Sequence, residues 1–336
     1  MSYLVEGAAK QERERDGLPY LDLAMAEARW GTVEDYLRAG QVQAVIRGIS
    51  LRVEGPNAEE VVSAAAGRIG TPVFVVEDFP GNYWPGAGAS LAGLFVEHES
   101  LVDLYRDRGV DPRVVQVTGC PRYAPLAHVD RDAKRAATRK ALGLQARPAM
   151  LWAGQPDGEN SYLTLQRLLK GYANEPFTLL FRAHPRDSAY SDGSYSNLLD
   201  RSPVPVMDVT SHDDIIALIC ASDLVATQFS SVAVEAGHLG VPPLFVLFED
   251  LAKQNLRSLM GYDMLPWCRD RCSFLIEGNE EVKDILKRAL FDEVSRDQVR
   301  ANFQRIFGAT TDSARAIARR IRAVVGKCRD AGGAAV

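Results

Sequence analysis

Residues 221–242 read Ala-Ser-Asp-Leu-Val-Ala-Thr-Gln-Phe-Ser-Ser-Val-Ala-Val-Glu-Ala-Gly-His-Leu-Gly-Val-Pro. An apolar run from Leu224 to Thr227 predicts a buried strand, and Ser230-Ser231 then opens a helix. The first amides of a helix lack internal partners and sit at the positive end of its dipole. Two hydroxyls beside free amides, beyond the C-terminal end of a parallel strand, make a phosphate cradle. The plainer reading is that one of the serines only caps the helix. Glu235 stands one turn inside a helix that is otherwise small and apolar, on the face of Ser231. Its spacing does not fit a Ser-x-x-Glu capping box. A carboxylate there is costly unless it is paired or hydrogen-bonded. Ribose hydroxyls next to a bound phosphate would satisfy it, and so would a salt bridge to an arginine.

Arg182, His184 and Arg186 crowd the end of a second apolar run, Thr178 to Ala183, where Pro185 stops the ladder. Arginine holds phosphate through paired hydrogen bonds. Histidine donates to phosphate or serves as an acid. A third strand, Ala149 to Ala153, leads into Gly154-Gln155. Gly154 permits close backbone approach, and Gln155 is suited to hydrogen-bond a base or a phosphate. No strand is followed by Gly-x-Gly-x-x-Gly and there is no Walker loop, which disfavours NAD, FAD and ordinary ATPase chemistry.

Earlier in the chain, Glu77 and Asp78 end the run Val73 to Glu77 and are expected to face a cleft. Asn82, Tyr83 and Trp84 follow, a surface suited to a sugar or polyol. Either carboxylate could act as a general base on an acceptor hydroxyl; the alternative is a loop whose acids only cap and solvate.

These residues need a scaffold of parallel strands. Apolar runs at Ala44–Gly48, Val73–Glu77, Leu94–Glu97 and Val114–Thr118 alternate with amphipathic stretches at Thr32–Arg38, Ala58–Arg68 and Ser100–Arg108, and a weak strand starts at Tyr3. The pattern repeats with strands at Ala149–Ala153, Thr178–Ala183, Leu224–Thr227 and Leu244–Leu247. The helices of that half are expected at Asp132–Leu142, Tyr162–Tyr172, Asp213–Ala221, Ser231–Leu239 and Glu281–Leu290. A long last helix covers Asp312–Val325, capped by Thr311 or Asp312. The alternation predicts an α/β protein of two nucleotide-binding-type domains. The proline-bearing stretch Pro121–Ala133 is expected to link them. The domains are placed at 1–125 and 130–310, with residues 311–328 as a closing helix.

With 336 residues, 46% of them hydrophobic, and a net charge of -5, the chain has ordinary globular composition and no global pull toward nucleic acid. Five scattered cysteines suggest reduced thiols and a cytoplasmic location, and no metal site is expected from Cys268 and Cys272. Residues 1–15 lack a signal-peptide pattern, and no run approaches the ~18 apolar residues of a membrane span.

His184-Pro185, Ser230-Ser231 with Glu235 and Gly240-Val-Pro, and Val117-Thr-Gly-Cys-Pro-Arg together resemble the glycosyltransferase-B superfamily. The nearest branches are CDP-glycerol glycerophosphotransferases, bacterial polysialyltransferases and UDP-N-acetylglucosamine 2-epimerases. The resemblance spans about Val114 to Pro242. It implies two Rossmann-like domains facing across a cleft, the N-terminal one shortened, with a nucleotide on the C-terminal domain. It also implies that His184, Ser230 and Ser231 hold phosphate, that Glu235 holds ribose, and that the last helix packs back toward the first domain. One departure is Gln228, where the glycerophosphotransferase pattern has an acidic residue. The expected activity is metal-independent transfer from a UDP-, CMP- or CDP-linked donor, with no cofactor, to an acceptor carbohydrate or small molecule, by an enzyme that could form a homodimer. The alternatives are an epimerase or hydrolase acting on a nucleotide sugar, and a binding protein without catalysis.

Overall fold

The computed structural model describes residues 4–5, 13–17, 21–22, 32–49, 58–85, 91–144, 146–172, 176–262, 264–269, 271–308 and 312–332. Tyr3, Thr311 and the last four residues lie outside this set. The chain divides into two compact units, Met1–Cys120 with Asp312–Val336, and Pro121–Thr311.

In the first unit, β1 (Leu4–Val5) and β2 (Leu21–Asp22) form a small parallel pair. A four-stranded parallel sheet follows, β3 (Val45–Arg47), β4 (Val73–Val76), β5 (Leu91–Val96) and β6 (Val115–Val117), in sequential order. Helices α1 (Val33–Ala39), α2 (Ala58–Arg68) and α3 (Ser100–Asp107) accompany it. Thr32 caps α1 by accepting from the Asp35 amide, and Glu34 and Asp35 in its first turn suit the helix dipole.

The second unit holds the larger sheet: β7 (Ala149–Ala153), β8 (Thr178–Arg182), β9 (Val206–Asp208), β10 (Leu224–Thr227), β11 (Pro243–Val246) and β12 (Phe274–Ile276). All pairings are parallel, in the order β12-β11-β10-β7-β8-β9. Counted from β7, this is the doubly wound order 3-2-1-4-5-6, whose direction reverses between β7 and β10. β7 is buried throughout, with Met150 and Trp152 in one apolar layer and Ala149 and Leu151 in the other. Burial on both faces explains why its sequence is a continuous apolar run and not an alternating one.

Helices α4 (Arg131–Ala141), α5 (Glu159–Lys170), α6 (Ser188–Ser191), α7 (Tyr195–Asp200), α8 (Ile215–Ala221) and α9 (Ser231–His238) cover this sheet with α10 (Gln254–Met260), α11 (Pro266–Arg269), α12 (Val282–Phe291) and α13 (Glu293–Phe307). Arg135 and Arg139 of α4 both reach Asp223, whose carboxylate also accepts the Ala149 amide and so fastens α4 to the start of β7. Residues 121–133, expected as a plain connection, fold as a 3-10 segment over Pro121–His128 followed by the start of α4. Helix α14 (Ser313–Gly332) belongs to the first unit, where Ile317 packs against Phe74 and Phe95.

Candidate functional site

Helix α9 begins where β10 ends, at the reversal of strand order. Ser230 is its cap, in an extended conformation, with Oγ accepting from the Val232 amide at 3.3 Å. The hydroxyl of Ser231 makes no hydrogen bond among the described residues. Of the two serines, Ser230 meets the capping reading.

Thr227, at the end of β10, ties this helix to β7. Its hydroxyl donates to Ala153 O at 2.7 Å and accepts from the Ser230 amide and from Gln155 Nε2, both at 3.4 Å. One residue on, the Gly154 amide donates to Arg182 O at 2.9 Å. A Cβ at Gly154 would lie 3.3 Å from Arg182 O and 3.4 Å from His184 N, which is why a glycine stands there. A continuous hydrogen-bonded path thus joins the Ser230–Ser231 turn, Gly154 and the Arg182–His184 segment. Gln155, expected to meet a base or phosphate, is buried instead and its amide is spent on Thr227. The same fate meets Gln228, which is fully buried and donates to Thr164 Oγ1 at 3.0 Å.

His184 is half-buried at the mouth of β8. Its Nδ1 accepts from the Arg186 amide at 3.1 Å. An accepting nitrogen carries no proton, so the neutral ring holds its proton on Nε2 and presents a donor there. Burial, then the Arg186 cation, pushes the imidazole pKa down, and Asp187 opposes this. Asp187 anchors the turn: its amide donates to His184 O at 2.9 Å, and its carboxylate accepts from the Ala189 amide at 3.0 Å and from Tyr195 Oη at 3.1 Å. Arg186 is exposed. Arg182 is half-buried, its pKa lowered by burial while the charges of Glu235 and Asp213 pull the other way. The strand-end cation therefore sits within electrostatic reach of helix α9.

Glu235 finds an arginine. Its Oε1 accepts from Arg122 Nη2 at 2.8 Å, with 10% of the Glu235 side chain exposed and 49% of the Arg122 side chain. Of the two partners the sequence allows, the ion pair is the one formed within the protein.

In the first unit, Glu77 does not face a cleft. It is 2% exposed, accepts from the Gly81 amide at 2.7 Å and from Tyr105 Oη, and its pKa is raised by burial to about 8. The short Glu77–Gly81 turn folds the strand end back over its own carboxyl, which removes it from solvent. Asp78, the next residue, is exposed. Arg108 donates to Gly81 O at 2.5 Å and Tyr83 O at 2.9 Å and lies 3.9 Å above the Trp84 ring, so the 81–84 loop is pinned to α3.

A family model for CDP-glycerol:poly(glycerophosphate) glycerophosphotransferases matches residues 105–321. The chain belongs to this family. Its fold is similar to that of MurG from Acinetobacter baumannii, at 13% identity and a TM-score of 0.62, with 96% of this chain and 90% of that one covered. It is similar to a UDP-GlcNAc 2-epimerase from Neisseria meningitidis at 12% identity and a TM-score of 0.61, with 95% and 90% covered. It is also similar to the wall teichoic acid polymerase TagF at 14% identity and a TM-score of 0.52, with 92% and 78% covered. At these identities the likeness establishes the fold, that of the glycosyltransferase-B superfamily with its two Rossmann-like domains. No curated protein matches the chain.

Membership of this glycerophosphotransferase family makes the chain a transferase that uses a nucleotide-activated donor. No helix among the described residues is long and apolar enough to cross a membrane. Three site residues escape sequence reasoning. Thr227 reads as the last residue of a strand, and its bridging role depends on which strand becomes its neighbour. Asp187 has a readable signal, an acid two residues after His184-Pro185 that caps α6 by accepting the Ala189 amide. Arg122 stands in the stretch expected as a connection, 113 residues from its carboxylate partner.

Proposed function

We propose that this glycerophosphotransferase-family member moves a polyol phosphate from a CDP-linked donor to an acceptor hydroxyl. The acceptor oxygen attacks the phosphorus that bears the polyol. The bond from that phosphorus to the bridging oxygen breaks, CMP leaves with the extra negative charge, and a base takes the acceptor proton. Such a reaction asks the protein mainly for positioning and for positive potential where charge grows.

The observation that carries this reading is the bonded path at the strand reversal. It links the N-terminal turn of α9, which carries Ser231, to the Arg182–His184 segment at the C-terminal end of the central strands. Donors and a helix dipole there would hold the diphosphate and stabilise departing CMP, with Arg182 and Arg186 adding charge. Gly154 keeps the strand ends close. The free oxygen of Glu235 is assigned to the ribose. Glu77, buried and held protonated at neutral pH, is given no part in proton transfer.

Purified protein should release CMP from CDP-glycerol only when a hydroxyl acceptor such as a short glycerol phosphate oligomer is added, and turnover should persist in EDTA. His184→Ala and Ser231→Ala should each lower kcat by a factor corresponding to about 2–4 kcal/mol of transition-state stabilisation. Wild-type turnover by both variants would remove these residues from the site.

A further inference from the structure

The Arg122–Glu235 pair has a geometry that a simple surface bridge lacks. Glu235 lies in the second turn of α9, and side chains on a helix lean toward its N-terminus, so the carboxylate overlies the turn that carries Ser231. One guanidinium is bonded to it. Arg122 comes from the 3-10 segment Pro121–His128 and bonds to Oε1 at 2.8 Å. Arg182, at the end of β8, donates instead to His212 O at 3.4 Å. No other hydrogen bond to the Glu235 carboxylate exists among the described residues, so Oε2 is uncommitted. The segment carrying Arg122 is itself fixed to α9, because the Tyr123 ring stacks on His238 with centroids 4.7 Å apart. Tyr123 is buried at 1% exposure, so Arg122 is delivered from a rigid base.

We infer that Arg122 is a positioning residue that sets ribose specificity by fixing the Glu235 carboxylate through Oε1 and leaving Oε2 for a sugar hydroxyl. This rests on the nucleotide-donor reading above. With Oε1 pinned to Arg122, Oε2 is directed to accept from a ribose hydroxyl. Without Arg122, the carboxylate loses the hydrogen bond that fixes its orientation. The chain then loses its directed acceptor for the sugar hydroxyl.

The test is a calorimetric comparison of CDP with 2′-deoxy-CDP and 3′-deoxy-CDP on wild-type protein, Arg122→Ala and Arg122→Lys, with thermal melting as a check on folding. Wild type should favour CDP over at least one deoxy analogue by about tenfold or more, the worth of one hydrogen bond to a charged group. Arg122→Ala should bring that ratio close to one while still binding nucleotide, and Arg122→Lys should restore most of it. If Arg122→Ala keeps the wild-type ratio, or wild type binds all three equally, the inference fails while the nucleotide site stands. If wild type binds none of the three, the nucleotide-donor reading fails and takes the inference with it. Should Arg122→Ala melt well below wild type, Arg122→Lys decides alone: recovered folding without recovered discrimination overturns the inference, whereas recovery of both supports it.

Discussion

A backbone amide decides what His184 can do. Because the Arg186 amide donates to Nδ1, the ring's proton sits on Nε2, and burial with two neighbouring cations keeps the ring neutral. Asp187 is the group that opposes that depression. Asp187→Asn should therefore move the His184 titration midpoint further down, read by NMR of the imidazole nitrogens; an unchanged or higher midpoint would contradict the electrostatic assignment. Glu77 offers a second test. Its folded-state pKa, about 8, lies above the ordinary 4.5. Between those values the folded chain keeps a proton that the unfolded chain has released, so stability falls as pH rises through that window and levels off above about 8. Glu77→Gln should flatten this slope, measured as melting temperature at pH 5 and pH 8; parallel slopes in the two proteins would show that Glu77 is not the titrating group. Residue types at the site were readable from sequence, but their partners were not. Nothing local to Gln155 says that its amide will be spent on Thr227, and nothing local to Glu235 says that Arg122 will reach it.

At the scale of elements, the strands that position the site were also the ones the sequence shows best. β7, β8 and β10 are central and buried on both faces, so each is written as an unbroken apolar run. β9 and β12 are three-residue edge strands, too short to carry a pattern. Helix α13 hides for a different reason: its buried residues are Val299, Phe303 and Phe307, one narrow stripe in an otherwise charged sequence. That stripe matters to the site, because Phe303 presses on α9 at Gly237 so closely that a Cβ there would overlap its ring. Gly237→Ala should cost on the order of 1–3 kcal/mol from overpacking. Thermal melting reads the loss, and a melting temperature equal to wild type would show that the two helices have room to part. Gly171 is similarly tight, with a Cβ predicted 2.7 Å from Val282, yet it lies at the far end of α5 from the site. Gly171→Ala is thus the control: it should lower stability without changing nucleotide affinity in the protein that remains folded.

For the molecule as a whole, the order of the six strands gives the site its place. β7 and β10 are neighbours in space but 74 residues apart in the register that pairs Leu151 with Val225 and Trp152 with Ala226. Alternating strands and helices announce parallel sheets; they do not say where the order reverses, and that reversal brings the Gly154 loop beside the first turn of α9. The resemblance in the His184-Pro185 and Ser230-Ser231 motifs supplied what periodicity could not, and the family match over residues 105–321 agrees with it. The central claim is that this reversal binds the diphosphate of a nucleotide. Calorimetric titration of CDP into wild type, His184→Ala and Ser231→Ala tests it most directly. Wild type should bind, and each variant should lose about tenfold or more in affinity, roughly 1.4 kcal/mol or above; variants that bind CDP as tightly as wild type would place the nucleotide elsewhere.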